Sequence, residues 1–241
     1  MSKGHALRTP AFSLLAILLA GGAWFGIGSM NSAHAQTAAT GPQFILTWQA
    51  LNSEVPSSYI GKALPSYGSK ITADVSILEN GKLENLSGQT IYWYLNDTLI
   101  GGGAGVTGIT FTPFGTPPSS LTLKVELPSD PEGYLVHSIQ IPLVPPQAVI
   151  LAPYPGGDFS SNPVEVTAIP YFFNASSSGL TYAWAVNGQT GGSAENPESA
   201  AVTLPGNTPS GTGITVALAI TNPANHVSAN AQSTLTYESQ L

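Results

Sequence analysis

One stretch of this chain is written twice. Residues 90–96 read Thr-Ile-Tyr-Trp-Tyr-Leu-Asn and lead to Gly101-Gly102-Gly103-Ala104. Residues 181–187 read Thr-Tyr-Ala-Trp-Ala-Val-Asn and lead to Gly191-Gly192-Ser193-Ala194. In both copies Thr stands three residues before Trp, and Asn three after it. Further on, Pro113-Phe114-Gly115-Thr116-Pro117 matches Pro205-Gly206-Asn207-Thr208-Pro209, and each leads into an apolar/polar run, Leu121–Val125 and Ile214–Leu218. The offset is about 92 residues, so the mature chain reads as a tandem duplication of one domain-sized unit.

The copies meet near Val144-Pro145-Pro146-Gln147. Adjacent prolines remove ladder donors and stiffen the backbone, which suits a short semi-rigid linker. The expected division is residues 1–35 as a signal peptide or N-terminal membrane anchor, 36–41 as a flexible tail, 42–144 as a first domain, 145–146 as the linker and 147–241 as a second domain.

Each unit should be built of strands. The chain carries 26 Gly and 20 Pro, dispersed among apolar runs, which rules out long helices. Period-two alternation recurs: Ile71, Ala73 and Val75 against polar neighbours, then Leu121, Leu123 and Val125, then Val164, Val166 and Ala168. Glu79-Asn80-Gly81 and Asn187-Gly188 are turn signals, the latter a hairpin dipeptide. Roughly seven short strands in roughly 95 residues suit two antiparallel sheets packed face to face. The fold class expected is all-β, two tandem β-sandwiches after an N-terminal signal or anchor segment.

The segments Tyr92-Trp93-Tyr94-Leu95-Asn96 and Tyr182-Ala183-Trp184-Ala185-Val186-Asn187 resemble the central strand of immunoglobulin-like and PKD-like domains, which carries a core tryptophan. No Asp-Phe-Gly-Asp-Gly run follows Trp184, so the resemblance is to the broad class. It implies that Trp93 and Trp184 are structural core residues plugging the space between sheets.

Residues 1–9 carry Lys3, His5 and Arg8, a charge-free apolar stretch runs from Phe12 to Ile27, and Ser32-Ala33-His34-Ala35-Gln36 follows. This is the pattern of an export signal cleaved after Ala35. The alternative is an uncleaved anchor through residues 10–30, near the length that spans a bilayer. Either way the remainder is expected outside the cytoplasm: extracellular, on the cell surface or periplasmic.

Cysteine is absent, so disulfides, thiolate nucleophiles and Cys-ligated metals are excluded. Net charge is −7, only 8% of residues are charged, and no Lys or Arg follows Lys124. A phosphate-binding groove needs clustered cations, so nucleic acid is not an expected partner. His137 and His226 have no zinc-binding spacing; His137 is expected on a solvent face and His226 in a hairpin turn. Asp130 and Glu132 lie in a Pro/Gly turn and Glu195 and Glu198 flank Pro197, where acids are normally solvated. A calcium site in a loop stays open, although no D-x-D-x-D-G loop is present. Gly101–Gly105 reads as a glycine-rich hairpin, and Tyr154 with Tyr171-Phe172-Phe173 as either alternate core residues or an aromatic patch. Asn85, Asn96 and Asn174 head N-x-S/T sequons without meaning in bacterial export.

No catalytic set, cofactor or metal ligand emerges. The expected function is a non-enzymatic exported structural or adhesive surface protein with a protein or glycan partner at the cell surface and a capacity for self-association. Alternatives are a carbohydrate-binding module using exposed aromatics and, remotely, a hydrolase.

Overall fold

The computed structural model describes residues 41–113, 120–131, 133–193 and 195–239. Ala35, the 10–30 anchor segment and all of the 36–41 tail but Gly41 lie outside the described residues. Among the described residues no helix is long and apolar enough to cross a membrane.

The first sandwich is made of β1 (Gln43–Ala50), β2 (Ile71–Glu79), β3 (Lys82–Leu83), β4 (Thr90–Leu95), β5 (Thr98–Ala104), β6 (Gly108–Phe111), β7 (Ser120–Asp130) and β8 (Gly133–Pro142). One sheet has β2 between β1 and the pair β3 and β6; the other runs β5-β4-β7-β8. The second sandwich is made of β9 (Gln147–Leu151), β10 (Asp158–Phe159), β11 (Val164–Tyr171), β12 (Thr181–Val186), β13 (Gln189–Gly191), β14 (Ser199–Val202), β15 (Thr212–Asn222) and β16 (Val227–Tyr237). Its sheets run β14-β11-β9 and β10-β16-β15-β12-β13. In both, the first two long strands share a sheet with the strand that precedes the long final hairpin. The other sheet holds the tryptophan strand, its hairpin partner and that final hairpin. This crossed, antiparallel connectivity is immunoglobulin-like.

Alternation builds the two cores. Ile71, Ala73, Val75 and Ile77 of β2 face Ile91, Trp93, Leu95, Leu121, Leu123 and Val125 across the first sandwich. Val164, Val166 and Ala168 of β11 face Trp184, Ile214, Val216, Leu218 and Ile220 across the second.

The repeated residues occupy matching places. Trp93 and Trp184 are 0% and 3% exposed. The Trp93 indole N–H donates to the Val106 carbonyl at 2.9 Å, and that of Trp184 to the Pro197 carbonyl at 3.0 Å, each 13 residues onward. Asn96 accepts from the Thr122 N–H at 2.9 Å, and Asn187 from the Thr215 N–H at 2.9 Å. Both Asn residues have left-handed backbones, φ 46° and 48°, as a tight hairpin turn requires. Gly101 and Gly191 lie directly across from the two tryptophans.

Several sequence expectations need correction. His137 is half-buried on the inner side of β8, in phase with Leu135, Ile139 and Ile141, and stacks on Phe44 at 5.2 Å. The register pairs Val136 with Glu126 on the outer face, so its neighbour His137 must turn inward. Asp130 is buried at the end of β7, where the strand bulges before the turn. Phe172 and Phe173 are both buried, because φ +59° at Phe172 breaks the alternation. Finally, Pro145-Pro146 does not act alone as the joint: the 20-residue connection 51–70 from β1 to β2 also reaches the second sandwich.

Candidate functional site

Because Ile91, Trp93 and Leu95 point into the core, Tyr92 and Tyr94 of β4 point out. The same phase on β7 turns Thr122, Lys124 and Glu126 outward. The antiparallel register sets Tyr92 opposite Glu126 and Tyr94 opposite Lys124. On β8, Val136 lies opposite Glu126, Ser138 opposite Lys124 and Gln140 opposite Thr122. Tyr134, 60% exposed, stands at the end of that row. A Cβ at Gly102 on β5 would fall 2.7 Å from the Tyr92 ring, so glycine there lets Tyr92 lie across the strand.

The polar groups of this face converge on Glu126. Lys124 Nζ sits 3.1 Å from the Glu126 carboxylate and 3.4 Å from Asp97, and 4.6 Å over the Tyr94 ring. The hydroxyls of Tyr134 and Tyr94 also donate to Glu126. The Tyr134 hydrogen bond and the Lys124 contact hold the Glu126 carboxyl below its ordinary value, overcoming the desolvation of a side chain only 14% exposed. The same hydrogen bond pushes the Tyr134 phenol up, while for Tyr94 burial leads and the Glu126 charge adds. Lys124 is held up chiefly by its hydrogen bond to Glu126.

This chemistry is suited to holding a ligand. A general acid needs a carboxyl raised toward neutral pH, and Glu126 is held the other way. What the face offers is aromatic surface around a fixed cluster of donors and an acceptor, the makeup of a recognition site. The second sandwich lacks it. At the same places in its register Ala183 faces Ala219 and Ala185 faces Ala217, leaving a shallow trough of about 430 Å³ edged by Asn230 and Gln232.

Among the described residues no three His, Asp or Glu side chains gather in a way that could hold a metal ion. Glu132 lies outside the described residues. Glu195 is exposed, whereas Glu198 is half-buried and its charge is felt by Glu54 of the 51–70 segment. His226 occupies the β15–β16 turn with φ +59°. Tyr171 and Phe172 pack edge-on against Tyr59, while Tyr154 is exposed. Asn85 caps a short 3-10 turn by accepting from the Ser87 N–H.

No protein-family model matches the chain. No curated protein matches it in sequence. Solved structures similar to it include the fibronectin(III)-like modules of Clostridium thermocellum CbhA, at 12% identity and TM-score 0.28 over 81% of this chain and 94% of that one. Three N-terminal domains of the bacteriophage RB49 Highly Immunogenic Outer Capsid protein match at 14% identity and TM-score 0.40, over 81% of this chain and 59% of that one. An ICAM-5 D1–D4 ectodomain fragment matches at 12% identity and TM-score 0.27, over 82% of this chain and 54% of that one. At these scores the assignment of fold rests on the strand connectivity itself.

The outer tyrosine face escaped the sequence reading, which searched for acid pairs and aromatic runs. Its signal lay in the repeat. The inward tryptophans are identical in the two copies and Leu95 answers to Val186, while the outward residues change character: Tyr92 and Tyr94 against Ala183 and Ala185.

Proposed function

We propose that the chain is a non-enzymatic, exported surface module that adheres to a cell-surface partner through the outer β5-β4-β7-β8 face of its first sandwich. The observation that carries this is the Tyr92–Tyr94–Tyr134 surface centred on Glu126, present on one sandwich and replaced by alanine on the other. A duplicated frame keeps its core for folding; outward groups that differ so sharply between copies call for another reason.

Within that reading, the aromatic rings and fixed hydrogen-bonding groups favour a glycan partner. Sugar C–H faces stack on tyrosine rings, and their hydroxyls exchange bonds with carboxylate, amine and phenol groups. With Asp97 and Glu126 against Lys124 the face is close to neutral, which suits an uncharged polysaccharide better than an anionic one. Export rests on the Lys3-to-Ala35 pattern.

The test is binding of the purified exported chain to intact producing cells and to a panel of neutral and acidic polysaccharides. The account expects binding that is lost in a Tyr92→Ala/Tyr134→Ala double variant and kept when Ala183 and Ala219 are changed to Ser. Binding that survives the tyrosine change, or follows the alanine positions, would overturn it.

A further inference from the structure

The β1–β2 connection of the first sandwich is 20 residues long and leaves its own domain. The Glu54 N–H donates to the Phe173 carbonyl at 2.7 Å, and the Phe172 N–H donates to the Glu54 carbonyl at 2.6 Å, so both backbone groups of Glu54 are bonded across the joint. Asn52 extends the contact, donating to the Asn174 carbonyl at 3.2 Å while accepting from the Lys70 N–H at 2.8 Å. The Asn174 side chain is itself held by Asn222 and Asn225 of the second sandwich, at 2.8 and 3.1 Å. Tyr59 sets its ring edge-on against Tyr171 and Phe172, both 6.0 Å away. At the near end, the Val144 N–H donates to the Pro65 carbonyl at 3.1 Å, tying the segment to the linker.

Phe172 is the strained point of this contact. A bulky residue with φ +59° is uncommon and persists where its surroundings over-determine it. Here the surroundings are the Glu54 carbonyl and the Tyr59 ring, both supplied by the other sandwich.

The groups facing the Glu54 side chain come from three places. Glu198, just before β14, presents a second carboxylate; Tyr182 on β12 presents a phenol whose hydroxyl donates to the Ser177 carbonyl at 3.0 Å; and the Ser177 N–H donates to the Glu54 carboxylate. Tyr171 lies beyond Tyr59 on β11. On the segment itself, Lys62 lies 3.5 Å over the Trp48 ring of β1, and Lys70 is its last residue, just before β2. The second sandwich has no Lys or Arg to answer two carboxylates, and its single His, His226, is exposed on the β15–β16 turn.

We propose that residues 51–70 are a strap latching the first sandwich to the second, and that the Glu54 carboxyl, enclosed where its own backbone bonds Phe172 and Phe173, makes the latch tighten in acid and loosen as it ionises. Burial, and then Glu198, raise the Glu54 carboxyl above its ordinary 4.5, against the lowering effect of the Ser177 N–H. The sign follows by linkage. Below 4.5 Glu54 is protonated whether the strap is docked or free, so the docked state has its full stability. As pH rises from 4.5 through the raised value, the free strap gives up its proton first and undocking is favoured; above that value the loss is complete.

The test is hydrogen exchange on the full exported chain at pH 4 and pH 7, corrected for intrinsic rates and referred to the β7 peptide. The Glu54 and Phe172 amides report docking directly, because each donates across the joint. In the wild type both should exchange about threefold faster or more at pH 7 than at pH 4, while β7 holds steady. Glu54→Gln should give the slow rate at both values, and Glu198→Gln, which removes the like charge but leaves the burial in place, should reduce the difference without abolishing it. Equal protection of the wild-type amides at the two pH values would overturn the proposal, as would an undiminished difference in Glu54→Gln.

Discussion

At the residue scale, the two tryptophans show what the chain spends its repeated letters on. Each is buried, and each satisfies its only polar atom with a carbonyl 13 residues ahead, so neither is left with an unpaired donor in the core. Truncation to Ala removes the largest side chain between the sheets. Trp93→Ala and Trp184→Ala should each cost roughly 3–5 kcal/mol, measured by denaturant unfolding. Each should act mainly on the sandwich that holds it, and a loss below about 1 kcal/mol would deny the core role. Glu126 offers a second check. Its carboxyl is held down first by the Tyr134 hydrogen bond and then by Lys124, so the stability it lends is present above 4.5 and is lost as pH falls through its lowered value. Carboxyl NMR titration should place Glu126 below 4.5, and Tyr134→Phe should move it upward. No movement would mean that the hydroxyl is not bonded to it. Trp93 and Trp184 were legible as central because both copies spell them alike. Tyr92 and Tyr94 were not, since alternation shows only that they face away from the tryptophan and not what gathers around them.

At the element scale, the hairpin turns do more than reverse the chain. Asn96 and Asn187 take the left-handed backbone, and each also ties its side chain and its N–H to one residue of the neighbouring long strand, Thr122 or Thr215. The turn thus fixes the register of three strands together. Asn96→Ala and Asn187→Ala should each cost about 1–2 kcal/mol, from the strained φ and the lost bond. Asn→Gly should recover the part due to φ, and equal losses for Ala and Gly would show that the backbone conformation carries no cost.

Strand alternation and the Asn-Gly dipeptides were readable because they are local patterns. The 51–70 strap was not, because its pairing partners lie more than a hundred residues away and its own sequence has no period. Edges were only half-legible. Pro170 lies on β11, the central strand of its sheet; the Ala168 N–H reaches the Glu198 carbonyl on the β14 side, and two residues on, at Pro170, β14 has ended and no donor is needed.

At the scale of the whole molecule, weak charge and exposed edges bear on association. The five-stranded sheet of the second sandwich ends in β10 and β13, of two and three residues, so it is guarded by shortness rather than by Lys. The first sandwich keeps longer edges, the eight residues of β1 and the ten of β8. If the chain self-associates, the contact belongs on the first sandwich, and sedimentation should show association that survives high salt, because few charges are there to be screened. Salt-sensitive association, or association unchanged by a Pro or Lys placed on β1, would put the contact elsewhere. The central claim, that the outer tyrosine face is the working surface, is reached most directly by amide chemical-shift mapping of the full exported chain during titration with surface polysaccharide from the producing cells. The account predicts shifts confined to β4, β5, β7 and β8 around Tyr92, Tyr94, Glu126 and Tyr134, with the alanine face of β12 and β15 silent. Shifts centred on the second sandwich, or none at saturating polysaccharide, would contradict it.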